Sequence, residues 1–110
     1  MLLRVEVEDR QDHTVVTASG EVDASTADQL GDALLGPLVN GRPRVLLDFG
    51  QVTFIDSTGL GVLVKVHREA LARRAAFALV HPTPQTRKLL GVLGLDQLFT
   101  IYDSVDAALA

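Results

Sequence analysis

Residues 3–8 alternate between apolar and polar side chains, a pattern typical of strands with one buried face. Charged residues alternate with Leu3, Val5 and Val7 up to a polar turn over residues 9–13. A second strand is predicted over residues 14–19, and the shortness of the turn favours pairing of the two strands as a hairpin. The chain is therefore predicted to open with two antiparallel strands.

A polar link over residues 20–26 separates this hairpin from a predicted helix. Asp23 or Ser25 is expected to cap the helix, because short polar side chains accept hydrogen bonds from the free N–H groups of a first turn. Gly36–Pro37 and the turn residues 40–43 are expected to close it, since glycine and proline interrupt helices. The apolar stripe of this helix comprises Ala27, Leu30, Leu34 and Leu38.

The almost continuous apolar run Val45–Phe49 predicts a strand that is covered on both faces, as in a parallel sheet. A short loop is expected over residues 50–53, followed by the apolar pair Phe54–Ile55. The polar run Asp56–Thr58 then predicts a helix start, and this helix is expected to reach about Arg74. Its apolar positions are Leu60, Leu63, Val64 and Leu71.

The last third of the chain predicts a strand over residues 76–80, a helix that begins at Thr83–Pro84, a strand over residues 98–102 and a terminal helix capped by Ser104. Gly94 is expected to stop the first of these helices in a left-handed conformation. The buried side chains of the two helices are expected to be Leu89, Leu90 and Leu93, and then Val105, Ala108 and Leu109.

The order strand, strand, helix, strand, helix, strand, helix, strand, helix predicts an α/β fold. We expect a mixed, largely parallel sheet of about five strands with an opening hairpin and helices packed on it. Functional loops of such sheets lie at the carboxyl ends of the strands. The links over residues 20–26 and 50–58 both leave strands and enter helices, so we expect them to meet at one edge and to bring Asp23 near Ser57.

Length and composition narrow the class of protein. With 110 residues the chain is expected to form a single domain, residues 1–110. Cysteine is absent, which excludes disulfides, thiolate nucleophiles and cysteine metal sites. The net charge of −4 argues against nucleic acid and anionic membrane partners, and no apolar run reaches the ~18 residues of a membrane span. Because a signal-peptide pattern is also absent, we expect a soluble cytoplasmic protein; the sequence leaves its oligomeric state undefined.

Enzymatic chemistry finds little support in these residues. Ser57 lacks the Gly-x-Ser-x-Gly context of a hydrolase nucleophile, and on one helix His67 would lie about 15 Å from it along the axis. Asp23, Asp48 and Asp56 could gather around Mg²⁺, but two helix caps and a strand end explain them more simply. No phosphate-binding glycine loop is present. The protein is therefore expected not to be an enzyme and to carry no cofactor or metal.

The start of the second helix suits an anion, because free N–H groups and the positive end of the helix dipole lie there. Ser57 places a hydroxyl at this point, so it is either a helix cap or a site of modification. Gly59 and Gly61 each cost about 1 kcal/mol relative to alanine in a helix. Bare backbone that is open to a partner would explain why they are present.

The stretch from Asp48 to Leu63, Asp-Phe-Gly-x-Val-x-Phe-Ile-Asp-Ser-Thr-Gly-Leu-Gly-Val-Leu, closely resembles the signature of the STAS domain. More narrowly, it is similar to that of the anti-sigma factor antagonists of bacteria. The segment Gly20–Ala27 resembles the family's Gly-Glu-Leu-Asp-x-x-Thr-Ala, and Thr83–Ser104 resembles its C-terminal third. The resemblance extends over the whole chain and implies the STAS fold.

For Ser57 the resemblance implies phosphorylation by a partner, an anti-sigma factor that is also a serine kinase. Thr58, where some relatives have a second serine, is a minor alternative acceptor. The unphosphorylated protein is implied to bind this kinase and to release the sigma factor, and a PP2C-type phosphatase is implied to restore that form. The residues implied in partner binding are Glu21, Asp23, Ser25, Thr26, Asp56, Thr58, Gly59, Leu60 and Gly61.

Phosphorylation is expected to block docking locally rather than to change the whole conformation. A phosphate adds about −1.5 to −2 charge, and a partner that buried it unpaired would meet a large desolvation cost. An alternative within the same architecture is a STAS docking subunit of a transporter or signalling scaffold, which binds without being phosphorylated. The motif Asp56–Gly61 favours the phosphorylated class.

Overall fold

A computed structural model describes residues 2–110 as ten elements around one sheet. In chain order they are β1 (Leu3–Asp9), β2 (Thr14–Val22), α1 (Ala27–Val39), β3 (Arg44–Ile55), α2 (Ser57–Ala72), β4 (Ala76–Val80), α3 (Pro84–Val92), a short 3-10 helix (Leu95–Gln97), β5 (Thr100–Tyr102) and α4 (Val105–Leu109). The sheet has five strands in the order β1-β2-β3-β4-β5; β1 and β2 are antiparallel and the other pairs are parallel. The predicted mixed α/β fold is confirmed. Within residues 2–110 no helix is long and apolar enough to cross a membrane.

The helices cover the two faces of the sheet unequally. The main core lies between one face and the helices α1, α2 and α3, and it includes the fully buried Leu63 of α2. A smaller cluster on the opposite face joins Leu46 of β3 to Ala108 of α4. The run Val45–Phe49 therefore has apolar neighbours on both faces, as its composition predicts.

β2 and β3 run further than the sequence pattern predicts. Residues 50–53, predicted as a loop, belong to β3, and residues 20–22, predicted as part of a polar link, belong to β2. The two strands pair up to Val22 opposite Ile55, with register shifts that accommodate the irregular polar pattern. Because Val52 is buried in the core, the longer ladder gains apolar burial that a loop would forgo.

Of the two segments predicted to close α1, residues 40–43 end it, with Asn40 as the C-cap, whereas Gly36–Pro37 does not, because Pro37 lies inside a helix that continues to Val39. Leu38 is only 1% exposed, and its burial offsets the hydrogen bond that proline cannot donate. The predicted end of α2 near Arg74 is close to the observed one at Ala72.

Two leucines that were predicted to be buried are exposed, Leu71 by 64% and Leu93 by 53%. On α2 the buried stripe passes through Leu63 and Ala70, and the next residue, Leu71, points about 100° further around the helix. Leu93 is the C-cap residue that follows the last residue of α3, and the core contact of this helix is made by Leu90 one turn earlier.

The other C-terminal predictions are largely confirmed. β4 spans Ala76–Val80, Thr83 and Ser104 cap α3 and α4 with their side-chain oxygens, and Gly94 is left-handed with φ of 73°. β5 is two residues shorter than predicted. The backbone N–H of Leu98 donates within the preceding 3-10 turn instead of joining the ladder.

Candidate functional site

Two connections between strands and helices meet at one edge of the sheet. β2 and β3 are parallel neighbours, and their last residues, Val22 and Ile55, are register partners. The backbone N–H of Asp56 also donates to the carbonyl oxygen of Val22 at 3.1 Å. The link that carries Asp23 and the helix start that carries Ser57 therefore lie side by side, as the sequence predicts.

Asp56, and not Ser57, caps α2. The backbone of Asp56 is extended, and its Oδ1 accepts a hydrogen bond from the N–H of Gly59 at 3.0 Å. Ser57 and Thr58 are the first two residues of the helix, and both are exposed. Because the carboxylate of Asp56 does the capping, the hydroxyl of Ser57 is left at the surface of the positive helix end without a structural task.

The two glycines of the first turns have different surroundings. A Cβ at Gly59 would lie 2.7 Å from Cγ1 of Val22 and 2.8 Å from Cγ1 of Ile55, so this backbone packs directly on the strand ends. A Cβ at Gly61 would meet nothing within 4 Å, and this residue is exposed. The expectation that both glycines leave their backbone open to a partner is therefore wrong for Gly59, whose backbone packs inside the protein. The backbone of Gly61 is open, as expected.

The link after β2 is held by its own side chains. Oδ1 of Asp23 accepts hydrogen bonds from the N–H of Ser25 at 2.9 Å and from its hydroxyl at 2.7 Å. These bonds to the hydroxyl and the N–H of Ser25 hold the pKa of the Asp23 carboxyl below its ordinary value of 3.8. Asp23 is therefore a fixed carboxylate at neutral pH.

Neither residue predicted to cap α1 does so. The N-cap position belongs to Thr26, whose hydroxyl donates to the carbonyl oxygen of Glu21 at 2.8 Å and accepts from the N–H of Asp23 at 3.0 Å. Ser25 instead donates hydrogen bonds to the side chain of Asp23, in the link before the helix begins. Short polar side chains can bond to neighbouring backbone and side-chain groups instead of to a helix end, which explains why Asp23 and Ser25 do not cap α1.

Two of the residues implied in partner binding have buried side chains. Leu60 packs in the main core, and Thr26 is enclosed in the link after β2. Their contribution to this edge is to hold its shape. The side chains that the edge presents to solvent, wholly or in part, belong to Glu21, Asp23, Ser25, Asp56, Ser57 and Thr58.

The three aspartates considered for Mg²⁺ do not form one site. Asp48 lies seven residues before Ile55 on β3, where its Oδ1 accepts from the N–H of Gly50 and its Oδ2 is 3.8 Å from Nδ1 of His81. Among residues 2–110 no group of three or more histidine, aspartate or glutamate side chains is placed to hold a metal ion. Asp23 and Asp56 are engaged in the local hydrogen bonds described above.

Phe54 places an apolar side chain at the surface, which the sequence pattern did not predict. It forms an apolar pair with Ile55 in the sequence, yet it is 50% exposed, whereas Ile55 is 8% exposed. It borders a groove of about 310 Å³ between the end of β3 and α3, to which Thr83 and Leu89 contribute. The register shifts that let β3 reach the edge change which side chains face the core, and alternation along the sequence alone does not show them.

Comparison with known proteins gives a consistent result. A family model described as STAS domain matches residues 4–108. The anti-sigma-F factor antagonist RsfB of Mycobacterium tuberculosis is 31% identical over 108 residues, which cover 97% of this chain and 87% of that protein.

Solved structures agree. The crystal structure of an anti-sigma factor antagonist from Mycobacterium paratuberculosis superposes with a TM-score of 0.87 at 31% identity, covering 98% of this chain and 92% of the other. The Bacillus cell fate determinant SpoIIAA in its phosphorylated form has the same fold, with a TM-score of 0.75 at 22% identity and 96% coverage of both chains. With the family match over nearly its whole length, the chain belongs to the STAS domain family, among relatives that are anti-sigma factor antagonists.

Proposed function

We propose that this protein is an anti-sigma factor antagonist whose binding to an anti-sigma factor kinase is controlled by phosphorylation of Ser57. The observation that carries the proposal is the exposed hydroxyl of Ser57 on the first turn of α2, where Asp56 already caps the helix. A residue without a structural task at an anion-favouring position suits reversible modification. The names of its relatives supply the class of partner.

The docking surface in this proposal consists of the exposed helix start and the neighbouring link. Ser57, Thr58 and Gly61 provide a helix face with little side-chain bulk, and the missing side chain at Gly61 lets a partner approach the backbone. The fixed carboxylate of Asp23 lies beside this face and contributes charge. The surface is regulatory, and the transferred phosphoryl group comes from the nucleotide of the kinase.

The same geometry explains how a phosphate at Ser57 would act. The helix dipole and free N–H groups favour the added anion, while the carboxylate of Asp56 opposes it. These effects have opposite signs, so the fold itself has little reason to change. A partner packed over Ser57 and Gly61, in contrast, would have to bury a dianion beside existing carboxylates. Phosphorylation therefore blocks docking directly, and a PP2C-type phosphatase reverses the block.

The proposal is tested by titrating an anti-sigma factor serine kinase of the host bacterium against three variants. We expect Ser57→Ala to bind within about threefold of wild type, and Ser57→Asp to bind about 100-fold more weakly, a loss of about 2.7 kcal/mol. Gln97→Glu, which adds one negative charge on the exposed 3-10 helix before β5, is the matched control and should bind normally.

The outcomes separate the alternatives. Full affinity of Ser57→Asp together with lost affinity of Ser57→Ala would show that the blockade mechanism is wrong. Binding of a partner that never phosphorylates Ser57 would instead favour the non-phosphorylated docking subunit. Phosphorylation that persists in Ser57→Ala and disappears in Thr58→Ala would transfer the acceptor role to Thr58.

A further inference from the structure

A cavity of about 330 Å³ lies at the end of the sheet opposite the Ser57 edge. It is bounded by the start of β3, the last turns of α2, the start of β4, β5 and the end of α4. β5 pairs only with Ala78–Val80, so the outer edge of β4 at Ala76 and Phe77 is not covered by a strand. The cavity occupies this uncovered edge. Ten residues of α2, or about 15 Å along its axis, separate Ser57 from the nearest cavity residue on that helix, His67.

Apolar side chains form part of the cavity lining. Phe77 and Ala70 come from the main core, and Leu46 and Ala108 come from the smaller cluster on the other face. Leu71 stands at the rim with 64% of its surface exposed, although leucine gains from burial. A ligand with an apolar part would cover this side chain and fill the uncovered edge.

The polar groups of the cavity are few, and one carries a permanent positive charge. Arg44 is half-buried, and its Nη1 donates to the carbonyl oxygen of Ala108 at 3.3 Å. Among residues 2–110 no aspartate or glutamate lies within 4.0 Å of its guanidinium. A guanidinium has five N–H donors, so most of its capacity for an acceptor is unused. His67, Thr100 and Tyr102 add further groups that can bond to a ligand.

We propose that this cavity binds a small carboxylic acid with an apolar tail, its carboxylate on Arg44 and its tail against Phe77 and Leu71. An apolar pocket of at least ~300 Å³ with a few convergent polar groups is the usual form of a small-molecule site. The guanidinium matches a carboxylate in shape and charge. Apolar walls on both sides of an open sheet edge match an alkyl chain or ring. The site is independent of the docking surface at Ser57.

The test uses octanoate as the probe, titrated into the full chain and followed by amide chemical shifts. We expect saturable shifts at cavity residues such as Leu71, Ala78 and Ala108. Octanamide has the same tail without the charge, and acetate has the charge without the tail. Both should bind about tenfold or more weakly, because each loses either the charge-assisted hydrogen bonds or the apolar burial.

Variants of the cavity sharpen this test. Arg44→Met should weaken octanoate binding about tenfold or more, whereas Arg4→Met, on the exposed strand β1 at the opposite edge of the sheet, should leave it unchanged. Leu71→Glu changes an exposed residue, so the fold should be retained, and the added rim carboxylate should repel the probe even if Arg44→Met does not fold. The proposal is overturned if octanoate shifts no cavity amide at about 10 mM, ten times a millimolar dissociation constant. Equal binding by wild type and Leu71→Glu would also overturn it.

Discussion

At the scale of single residues, Gly59 and Gly61 lie close together at the start of one helix but have different roles. The missing Cβ of Gly59 allows the first turn of α2 to pack on Val22 and Ile55, whereas that of Gly61 faces open space. The sequence alone favours one explanation for both, because helix propensity treats them alike. Only the register of β2 against β3 separates an internal contact from an exposed one.

This difference predicts opposite effects of the same substitution. Gly59→Ala should lower the free energy of unfolding by about 1–2 kcal/mol, because stiff β-branched neighbours cannot yield to a Cβ at 2.7 Å. Gly61→Ala should raise it by up to about 1 kcal/mol through better helix propensity. Urea unfolding of both variants measures the two values. Equal effects on stability would contradict the assigned surroundings.

A larger side chain at Gly61 should affect partner binding rather than stability. Gly61→Leu should bind the anti-sigma factor kinase more weakly while its stability is retained, since the added side chain stands in open space in the free protein. A titration against the kinase measures this, with Lys65→Leu one turn along α2, also exposed, as the control. An unchanged dissociation constant for Gly61→Leu would remove Gly61 from the docking surface.

The carboxylate of Asp23 provides a prediction about pH. Its pKa is lowered by bonds from Ser25, so the stability that these bonds contribute is present above pH 3.8 and is lost as the pH falls through the lowered folded-state pKa. Ser25→Ala should raise the pKa of Asp23 towards 3.8, whereas Ser25→Thr keeps a hydroxyl and should raise it less. An NMR titration of the Asp23 carboxyl carbon gives the pKa. No change in Ser25→Ala would show that these bonds are absent in solution.

At the scale of elements, the start of α2 has a capping residue, Asp56, directly before the exposed residue Ser57. Asp56 accepts from the N–H of Gly59 and also donates its own N–H to Val22, so it joins the helix start to the end of β2. This arrangement fixes Ser57 in space without using the hydroxyl of Ser57.

The cap at Asp56 leads to a stability prediction. Asp56→Ala should destabilise the protein by about 1 kcal/mol, and Asp56→Asn, which keeps a capping oxygen, by much less. The bond from the Asp56 backbone N–H to Val22 remains in both variants, so the comparison isolates the side chain. Thermal or urea unfolding measures the difference, and equal stability of Asp56→Ala and wild type would contradict the assignment of Asp56 as the cap.

The elements were predicted well where local chemistry determines them. Thr83, Ser104 and Gly94 have their predicted positions at helix ends because capping and left-handed stops depend on neighbouring residues. The predictions failed where tertiary packing overrides local signals. Pro37 remains inside α1 since the next residue, Leu38, is buried, and residues 50–53 join β3 since β2 continues alongside them.

At the candidate site, too, some features could be predicted from the sequence and others depend on tertiary packing. The sequence predicted that the segments carrying Asp23 and Ser57 would meet, because the topology of parallel strands requires it. Leu60, part of the predicted apolar stripe of α2, is buried, but the sequence did not predict that Thr26 is enclosed or that Phe54 is exposed. The exposure of Phe54 depends on register shifts near the ends of β2 and β3.

At the scale of the whole molecule, the proposed switch works without a change of fold. Ser57 lies on an exposed first turn, and the core beneath that turn is closed by Leu60 and by the packing of Gly59 on the strand ends. Ser57→Asp should therefore change the free energy of unfolding by no more than about 0.5 kcal/mol. Amide shifts should change only near residues 21–26 and 56–61. Shifts spread across the sheet would indicate a global change instead.

The proposed switch requires that Ser57 is the phosphorylated residue. The decisive experiment is the intact mass, with site mapping, of the protein purified from its native host after the phosphatase has been removed. The proposed switch predicts a gain of one phosphate, mapped to Ser57 and absent from Ser57→Ala. An unmodified protein under these conditions, or a phosphate confined to other residues, would contradict it.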